Sequence, residues 1–130
     1  MYSADQMVQH VREAIELPGT PEDYHFILQG GIEHLWRLRA ESTSSLEMLE
    51  EFALLDLQLI EAAPWSVEWS DGADGTSFVS LPGLDRFIVL LEREGAHCEA
   101  LAIAERLAKF DNTKRLERLR ERVATLDSFA

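Results

Sequence analysis

Histidine and cysteine are the residues of this chain whose types are best suited to catalysis or metal binding. The four histidines are His10, His25, His34 and His97, and the single cysteine is Cys98. No two histidines have the spacing that places two zinc ligands on one helix face. His97 and Cys98 are adjacent, and neighbours on a helix point in different directions, so they do not converge as base and nucleophile. We therefore expect ordinary surface or half-buried histidines, a buried or half-buried thiol, and no metal site.

Two glycine-containing segments resemble binding loops, but each lacks residues that the chemistry needs. Placing Gly75 at the invariant glycine of a calcium loop leaves Leu81 where a bidentate glutamate belongs. The pair Gly30-Gly31 lacks the following Lys-Ser/Thr of a phosphate loop and falls inside a predicted helix, where it either permits close helix contact or kinks the helix. The sequence thus predicts no catalytic residue, no cofactor and no enzymatic activity.

Length, charge and cysteine content bound the class of protein. With 130 residues, 46% of them hydrophobic, we predict a single domain over 1–130. The net charge of −12 disfavours binding to nucleic acid or to an anionic membrane surface. No apolar run is long enough to span a membrane, and the amino terminus lacks the basic start of a secretory signal. A single cysteine favours a reducing, cytoplasmic location.

Helix start and stop signals recur along the chain and predict about six helices. Ser3 with Gln6 and Ser44 with Glu47 are capping boxes, and the segment 20–23 combines a capping threonine with proline and two acids. The second helix should reach about residue 40, the third should end at Pro64, and the fifth should cover about 97–110. The fourth helix should start at Leu81-Pro82-Gly83 and end at Gly95, and Asp111 or Asn112 should cap the sixth. The predicted fold is all-α, built from antiparallel helical hairpins.

Residues 65–80 depart from the helical pattern. Apolar and polar residues alternate at Trp65, Val67 and Trp69, before an Asp-Gly-rich turn. This pattern indicates a short β-hairpin whose second strand would contain Val79 and Leu81. Three alternatives stay open: an irregular loop whose tryptophans fold onto the core, an exposed aromatic contact site, and a disordered loop.

Residues 84–112 resemble a tetratricopeptide repeat, a helix–turn–helix unit of 34 residues. With Gly95 at the family's turn glycine, four apolar residues occupy the first-helix pattern W-x2-L-G-x2-Y: Leu84, Phe87, Ile88 and Leu91. Ala100 falls on the family's small alanine and Ala104 on its aromatic position. The family's tryptophan, glycine, tyrosine and closing proline are replaced at Leu84, Ile88, Leu91 and Asn112. The helices over 21–40 and 44–63 resemble a second, degenerate pair.

The resemblance implies a scaffold for protein contacts, because stacked helix pairs present a face to a peptide or partner helix. We therefore predict a non-catalytic protein–protein interaction module. Five aromatic residues are the predicted partner contacts, each of which matters only if exposed: Trp65, Trp69, Phe78, Tyr24 and Trp36. The alternative is an acidic inhibitor (an immunity protein, an antitoxin or a DNA mimic) that blocks a basic site on another protein.

The charge is unevenly distributed along the chain. Residues 1–108 hold six basic and 20 acidic side chains, whereas 109–130 hold six basic and four acidic ones. The basic final helix either packs on the fifth helix, with its arginines paired to neighbouring acids, or forms a homodimer contact with an acidic face of a twofold mate.

Overall fold

The computed structural model describes residues 2–70, 76–78, 81–110 and 114–127. This part of the chain contains six α-helices, one short 3₁₀ helix and two short strands, so the predicted all-α class is confirmed. In chain order the elements are α1 (Ala4–Glu16), α2 (Pro21–Arg37), α3 (Thr43–Ala62), the 3₁₀ helix (Pro64–Val67), β1 (Glu68–Ser70), β2 (Thr76–Phe78), α4 (Pro82–Arg93), α5 (His97–Leu107) and α6 (Lys114–Asp127).

The chain divides into two compact units, Met1–Arg86 and Phe87–Ala130. The first unit holds α1 to α3, the 3₁₀ helix, both strands and the start of α4. The second unit holds the rest of α4 with α5 and α6. The boundary falls inside the predicted repeat at 84–112, and the single domain over 1–130 stays a prediction.

Side-chain caps start α1 and α2 where the sequence predicts them. The Ser3 hydroxyl accepts a hydrogen bond from the Gln6 N–H at 3.2 Å, and the Gln6 side chain accepts one from the Ser3 N–H at 2.9 Å. Thr20 and Asp23 make the same reciprocal pair at 3.2 and 3.0 Å. Each box satisfies two N–H groups that the helix itself leaves without partners.

The predicted capping box of Ser44 and Glu47 is wrong. Helix α3 begins at Thr43, and its N-cap, Ser42, makes no side-chain capping bond. The Ser42 hydroxyl instead lies 2.7 Å from the hydroxyl of Ser44. A 20-residue helix with a long buried face is stabilised mainly by packing, so it does not depend on its cap.

Helices α2 and α5 end three residues earlier than predicted, at Arg37 and Leu107. The residues that follow form hydrogen-bonded turns rather than helix, as when the Glu41 N–H donates to the Leu38 carbonyl at 2.9 Å. Such tight last turns are common where the chain must change direction.

Helix α2 is the centre of the first unit because its contacts with α1 and with α3 are both more extensive than the contact between α1 and α3. This explains why its apolar residues cover more than one face. The contact with α1 is close at Gly31, where an added Cβ would lie 2.7 Å from Val11 Cγ2. The predicted close approach is therefore confirmed at Gly31, whereas Gly30 faces open space. Large fully buried side chains of these helices form the core: Val11, Ile32, Leu35, Leu49, Phe52, Leu57 and Ile60.

The segment after α3 combines a 3₁₀ helix with a hairpin. The strands pair antiparallel, with Glu68 opposite Phe78 and Ser70 opposite Thr76. The hairpin indicated by the sequence is thus present, but Trp65 and Val67 precede it in the 3₁₀ helix. Pro64 occupies the first turn of that helix, where its fixed φ is compatible with helical backbone. Leu81 lies beyond β2, and Val79 lies outside the described residues.

In the second unit, Gly95 ends α4 as predicted. Its φ of +79° is in the left-handed region, which glycine adopts without a steric penalty. Helix α5 packs against α6. The buried residues of these two helices are alanines and larger aliphatic residues: Ala100, Ile103, Ala104, Leu107, Leu116 and Leu119. The predicted caps of the sixth helix, Asp111 and Asn112, lie outside the described residues.

Candidate functional site

Three of the five predicted contact aromatics lie in or next to the hairpin. Trp65, on the 3₁₀ helix, is 57% exposed and therefore meets the condition set for a partner contact. Trp69 lies on β1 and Phe78 on β2, and their side chains are outside the described part of the structure. Only Trp65 of this group can be placed on the surface.

The two predicted aromatics of α2 have different environments. Trp36 is buried, with the guanidinium of Arg39 4.2 Å and that of Arg86 5.5 Å from its ring centroid. It does not meet the exposure condition, and its ring supports cation–π contacts within the first unit. Tyr24 is half-buried, and its hydroxyl donates a hydrogen bond to the Leu17 carbonyl at 2.7 Å. That bond ties α2 to the end of α1.

The most exposed large hydrophobic side chains among the described residues are Leu17 and Phe26, at 63% and 60%. Both line one concavity of about 440 Å³ at the corner between α1 and α2, which we call the corner concavity. Pro18 and Gly19 create this corner, because they stop α1 before the capping box of α2 restarts the helix. The lining is mainly apolar: Ala14, Leu17, Pro18, Gly19, Asp23, Tyr24, Phe26 and Ile27.

Sequence reasoning missed Leu17 and Phe26 as surface residues. A signal for Phe26 exists, because it directly follows His25, and the core-facing residues Leu28, Ile32 and Leu35 continue from His25 at steps of three, four and three. A large aromatic one position away from that stripe points elsewhere. No comparable signal marks Leu17, whose exposure follows from the turn that the chain makes at the corner.

A histidine and an aspartate form a buried polar pair between α2 and α3. His25 Nδ1 lies 2.6 Å from Asp56 Oδ1, and both side chains are almost completely buried. The prediction of ordinary surface or half-buried histidines is therefore wrong for His25. The cause is its helical position, since the stripe it shares with Leu28 faces α3 across the core.

Burial raises the pKa of the Asp56 carboxyl above its ordinary value, because desolvation disfavours the charged form. The hydrogen bond and the charge interaction with His25 oppose this effect and lower the pKa in part. Within the described residues, His25 Nε2 and Asp56 Oδ2 have no hydrogen-bond partner. Removing either partner would leave the other polar side chain buried without its hydrogen bond, so the pair is costly to break.

Ser45 is also buried, so the first unit contains the three residue types of a hydrolase triad. Ser45 and Asp56 are 11 positions apart on α3, which is about 16 Å along the helix axis at 1.5 Å per residue. A nucleophile must lie within about 3 Å of its base, so the three side chains are not a catalytic constellation. His25 and Asp56 are moreover closed to any substrate.

A second concavity, of about 410 Å³, lies beside α1 and the start of α3. Its lining includes the carboxylates of Asp5, Glu13 and Glu16 together with Arg12. Arg12 forms an ion pair with Glu51 at 3.4 Å. Three carboxylates therefore lie around this concavity, against one arginine that is itself paired with a glutamate.

The described residues hold no metal-binding group, and the single thiol lies on the surface. No group of three or more histidine, cysteine, aspartate or glutamate side chains is arranged to hold a metal ion there. Cys98 is exposed, so the predicted buried or half-buried thiol is wrong. The inward positions of α5 begin with Ala100, and Cys98 lies away from them.

No helix in the described ranges is both long enough and apolar enough to cross a membrane.

No protein-family model, no curated protein and no solved structure matches this chain. The corner concavity and the buried pair are therefore the features of the molecule from which a function can be inferred.

Proposed function

We propose that this chain is a non-catalytic protein-interaction module that binds an apolar segment of a partner protein in the corner concavity. The observation that carries the proposal is that Leu17 and Phe26, the two most exposed large hydrophobic side chains among the described residues, line the same concavity. Scattered exposed leucines are ordinary on protein surfaces, whereas paired apolar side chains in a concave site are typical of binding sites.

The energetics favour this site. Full burial of a leucine or phenylalanine side chain contributes about 1.5–3 kcal/mol, so covering the exposed 60% or so of Leu17 and Phe26 would contribute about 2–4 kcal/mol in total. The site is also preorganised, because the Tyr24 hydroxyl bonds to the Leu17 carbonyl and the capping box holds Asp23. A preorganised site loses little conformational entropy when a partner binds.

The absence of catalysis is part of the proposal. The acid–base pair of the first unit is sealed in the core, and the buried Ser45 is out of its reach. The other buried serine among the described residues, Ser66, donates its hydroxyl hydrogen bond to the Ala63 carbonyl. A non-catalytic role leaves His25 and Asp56 with the task of specifying how α2 packs on α3. The reducing, cytoplasmic location remains a prediction that rests on the single cysteine.

The finer fold proposal is that α4 and α5 form a tetratricopeptide-like hairpin. It is supported by the left-handed Gly95 in the connection between the two helices and by the complete burial of Ala100. A small residue at that position is what a close helix crossing requires. The two units would then combine an interaction corner with a repeat-like scaffold.

The test is capture of partners from the native host with matched variants. Leu17→Ser with Phe26→Ser removes the apolar surface of the corner concavity, while the Tyr24 bond to the Leu17 backbone is retained. Leu55→Ser is the control, because Leu55 is exposed on α3 but does not line this concavity. We expect a partner that is retained by the wild type and by the control and lost by the double variant. Equal capture by all three proteins would contradict the proposal.

The acidic-inhibitor alternative is favoured by one observation, the carboxylate-lined concavity beside α1. Binding through it would be strongly salt-dependent, since exposed charges are screened within about 10 Å at 0.1 M salt. Glu13→Gln with Glu16→Gln would then abolish capture, and Leu17→Ser with Phe26→Ser would leave it unchanged. The two variant pairs therefore distinguish the two functions.

A further inference from the structure

We propose that the corner concavity binds a segment of a partner protein in which apolar side chains are flanked by lysine or arginine. This inference rests on the proposed function, because it names the chemistry of the segment that enters the same concavity. The apolar part follows from the lining of the concavity. The basic flanks follow from the charges around the corner and from the end of α1.

Three carboxylates lie at the corner, and we call them the corner carboxylates. Asp23 lines the concavity, and its side chain is exposed. Glu16 is exposed and directly precedes Leu17. Glu22 lies four residues before Phe26 and therefore on the same side of α2. Within the described ranges, none of the corner carboxylates forms an ion pair.

The cations of the first unit lie away from the corner. Residues 1–86 hold four basic side chains: Arg12, Arg37, Arg39 and Arg86. Two of them pair with glutamates of the first unit, at 3.4 and 3.5 Å. Arg37 follows Asp23 by 14 positions on α2, which is about 21 Å at 1.5 Å per residue. Arg39 contacts the Trp36 ring at the same far end of the helix. At 0.1 M salt, exposed charges are screened within about 10 Å, so these two arginines do not neutralise the corner.

The end of α1 adds to the negative potential at the corner. The last carbonyls of a helix carry a partial negative charge, which a nearby lysine or arginine stabilises. The last turn of α1 contains no basic residue, and its C-cap, Leu17, lines the concavity. The positive end of α2 lies at the same corner, but it is equivalent to about half a charge and faces both Glu22 and Asp23. The corner therefore stays negative.

These charges select among the possible occupants of the concavity. A segment with acidic flanks would be repelled by the corner carboxylates, whereas lysine or arginine flanks would form ion pairs with them. A second copy of the first unit is disfavoured, because its 16 acidic side chains outnumber four basic ones. Exposed ion pairs add little affinity each, so the apolar side chains supply most of the binding energy and the flanks supply selectivity and a faster encounter.

Selection from a random peptide library displayed on phage tests the inference with the full chain. The library is first depleted on the Leu17→Ser/Phe26→Ser variant and then captured on the wild type, so the retained peptides depend on the corner concavity. We expect them to carry apolar residues flanked by lysine or arginine and to have a positive net charge. Retained peptides with neutral or acidic flanks would overturn the inference and leave the proposed function standing. If no peptide distinguishes the wild type from the variant, the proposed function fails and this inference fails with it.

Charge variants measure the contribution of the basic flanks, with a synthetic copy of the most enriched peptide as the probe. Glu16→Gln with Glu22→Gln removes two corner carboxylates and keeps the apolar lining. We expect the affinity to fall about three- to tenfold and its salt dependence to weaken. The control is Glu41→Gln with Glu47→Gln, which makes the same change in net charge just after α2 and near the start of α3. The control should keep its affinity within about twofold. Equal losses in the two double variants, or a loss in neither, would overturn the inference.

Discussion

The two units of this chain use charge in opposite ways. The first unit is strongly acidic and also buries an acid–base pair, His25 with Asp56, between two helices. The second has eight basic and eight acidic residues over 87–130, and its described ion pairs join an exposed arginine to an exposed or half-buried glutamate, as in Arg120 with Glu105 and Arg118 with Glu92. Exposed pairs contribute about 0–1 kcal/mol, whereas a buried pair is costly to break. We conclude that electrostatic control of stability is concentrated in the first unit.

The units also differ in how their helices begin. Helices α1 and α2 start with reciprocal capping boxes, whereas the N-cap of α5, Ala96, makes no side-chain bond. The second unit relies instead on Gly95 to end α4 and on aliphatic packing between α5 and α6. Local side-chain bonds therefore define the starts of α1 and α2 but not those of α3 and α5.

The two units can be followed separately in solution, because all three tryptophans, Trp36, Trp65 and Trp69, belong to the first unit. Tryptophan fluorescence therefore reports on that unit, and circular dichroism at 222 nm reports on the helices of both. Coincident unfolding transitions by the two probes would support the predicted single domain over 1–130. Separate transitions would support two independently folding units.

The largest expected effect comes from His25→Ala. It leaves the Asp56 carboxylate buried without its partner, so we expect the free energy of unfolding at pH 7 to fall by about 3–5 kcal/mol. Urea titration followed by tryptophan fluorescence measures this loss. Adding Asp56→Asn should recover part of it, because the double variant has no buried charge. A loss below about 1 kcal/mol would mean that the pair is unimportant to the first unit.

The second prediction concerns the close approach of α1 and α2. Gly31→Ala places a Cβ 2.7 Å from Val11 Cγ2, and the stiff valine has little room to move. We therefore expect the free energy of unfolding, measured by urea titration, to fall by about 1–3 kcal/mol. Gly30→Ala is the matched control, because its Cβ would meet open space. For Gly30→Ala we expect the free energy of unfolding to rise by up to about 1 kcal/mol, because alanine has the higher helix propensity. Combining Gly31→Ala with Val11→Ala should remove the clash. Equal free energies of unfolding for Gly31→Ala and Gly30→Ala would refute the close approach of α1 and α2.

The third prediction applies to the second unit. Gly95→Ala forces an L-residue into a φ of +79°, which costs about 1–2 kcal/mol although no atom obstructs the new Cβ. Gly95→Asn should lower the free energy of unfolding by less than Gly95→Ala does, since asparagine adopts left-handed backbone more readily than alanine. If the units unfold separately, the change should appear in the dichroism transition and leave the tryptophan transition in place. Identical losses for alanine and asparagine would argue against a backbone cause.

The smallest effect is the pH dependence that Asp56 adds. Its pKa is raised in the folded state above the ordinary value of 3.8, so the folded chain binds the proton more tightly than the unfolded chain does. The stability contribution is therefore complete below pH 3.8 and is lost as pH rises through the raised pKa. Unfolding free energies from pH 3.5 to 8 should show the wild type losing stability relative to Asp56→Asn. Arg120→Gln, which removes an exposed pair, should leave the profile unchanged.

The sequence alone sufficed for features that depend on near neighbours. The Ser3–Gln6 box joins residues three apart, and Gly95 acts through its own backbone angle. The all-α class follows from the same kind of information, because apolar residues repeat at helical spacing within each segment. The capping box predicted at Ser44 and Glu47 fails because packing, rather than a local bond, stabilises the start of α3.

The tertiary structure alone decided the candidate site. His25 and Asp56 are 31 positions apart, and the sequence around either residue does not indicate that the two side chains pair. Whether an aromatic side chain is exposed depends on which helices cover it, so Trp36 is buried whereas Phe26, on the same helix, is exposed. Burial, pairing and concavity result from contacts between distant segments, and near-neighbour patterns do not specify those contacts.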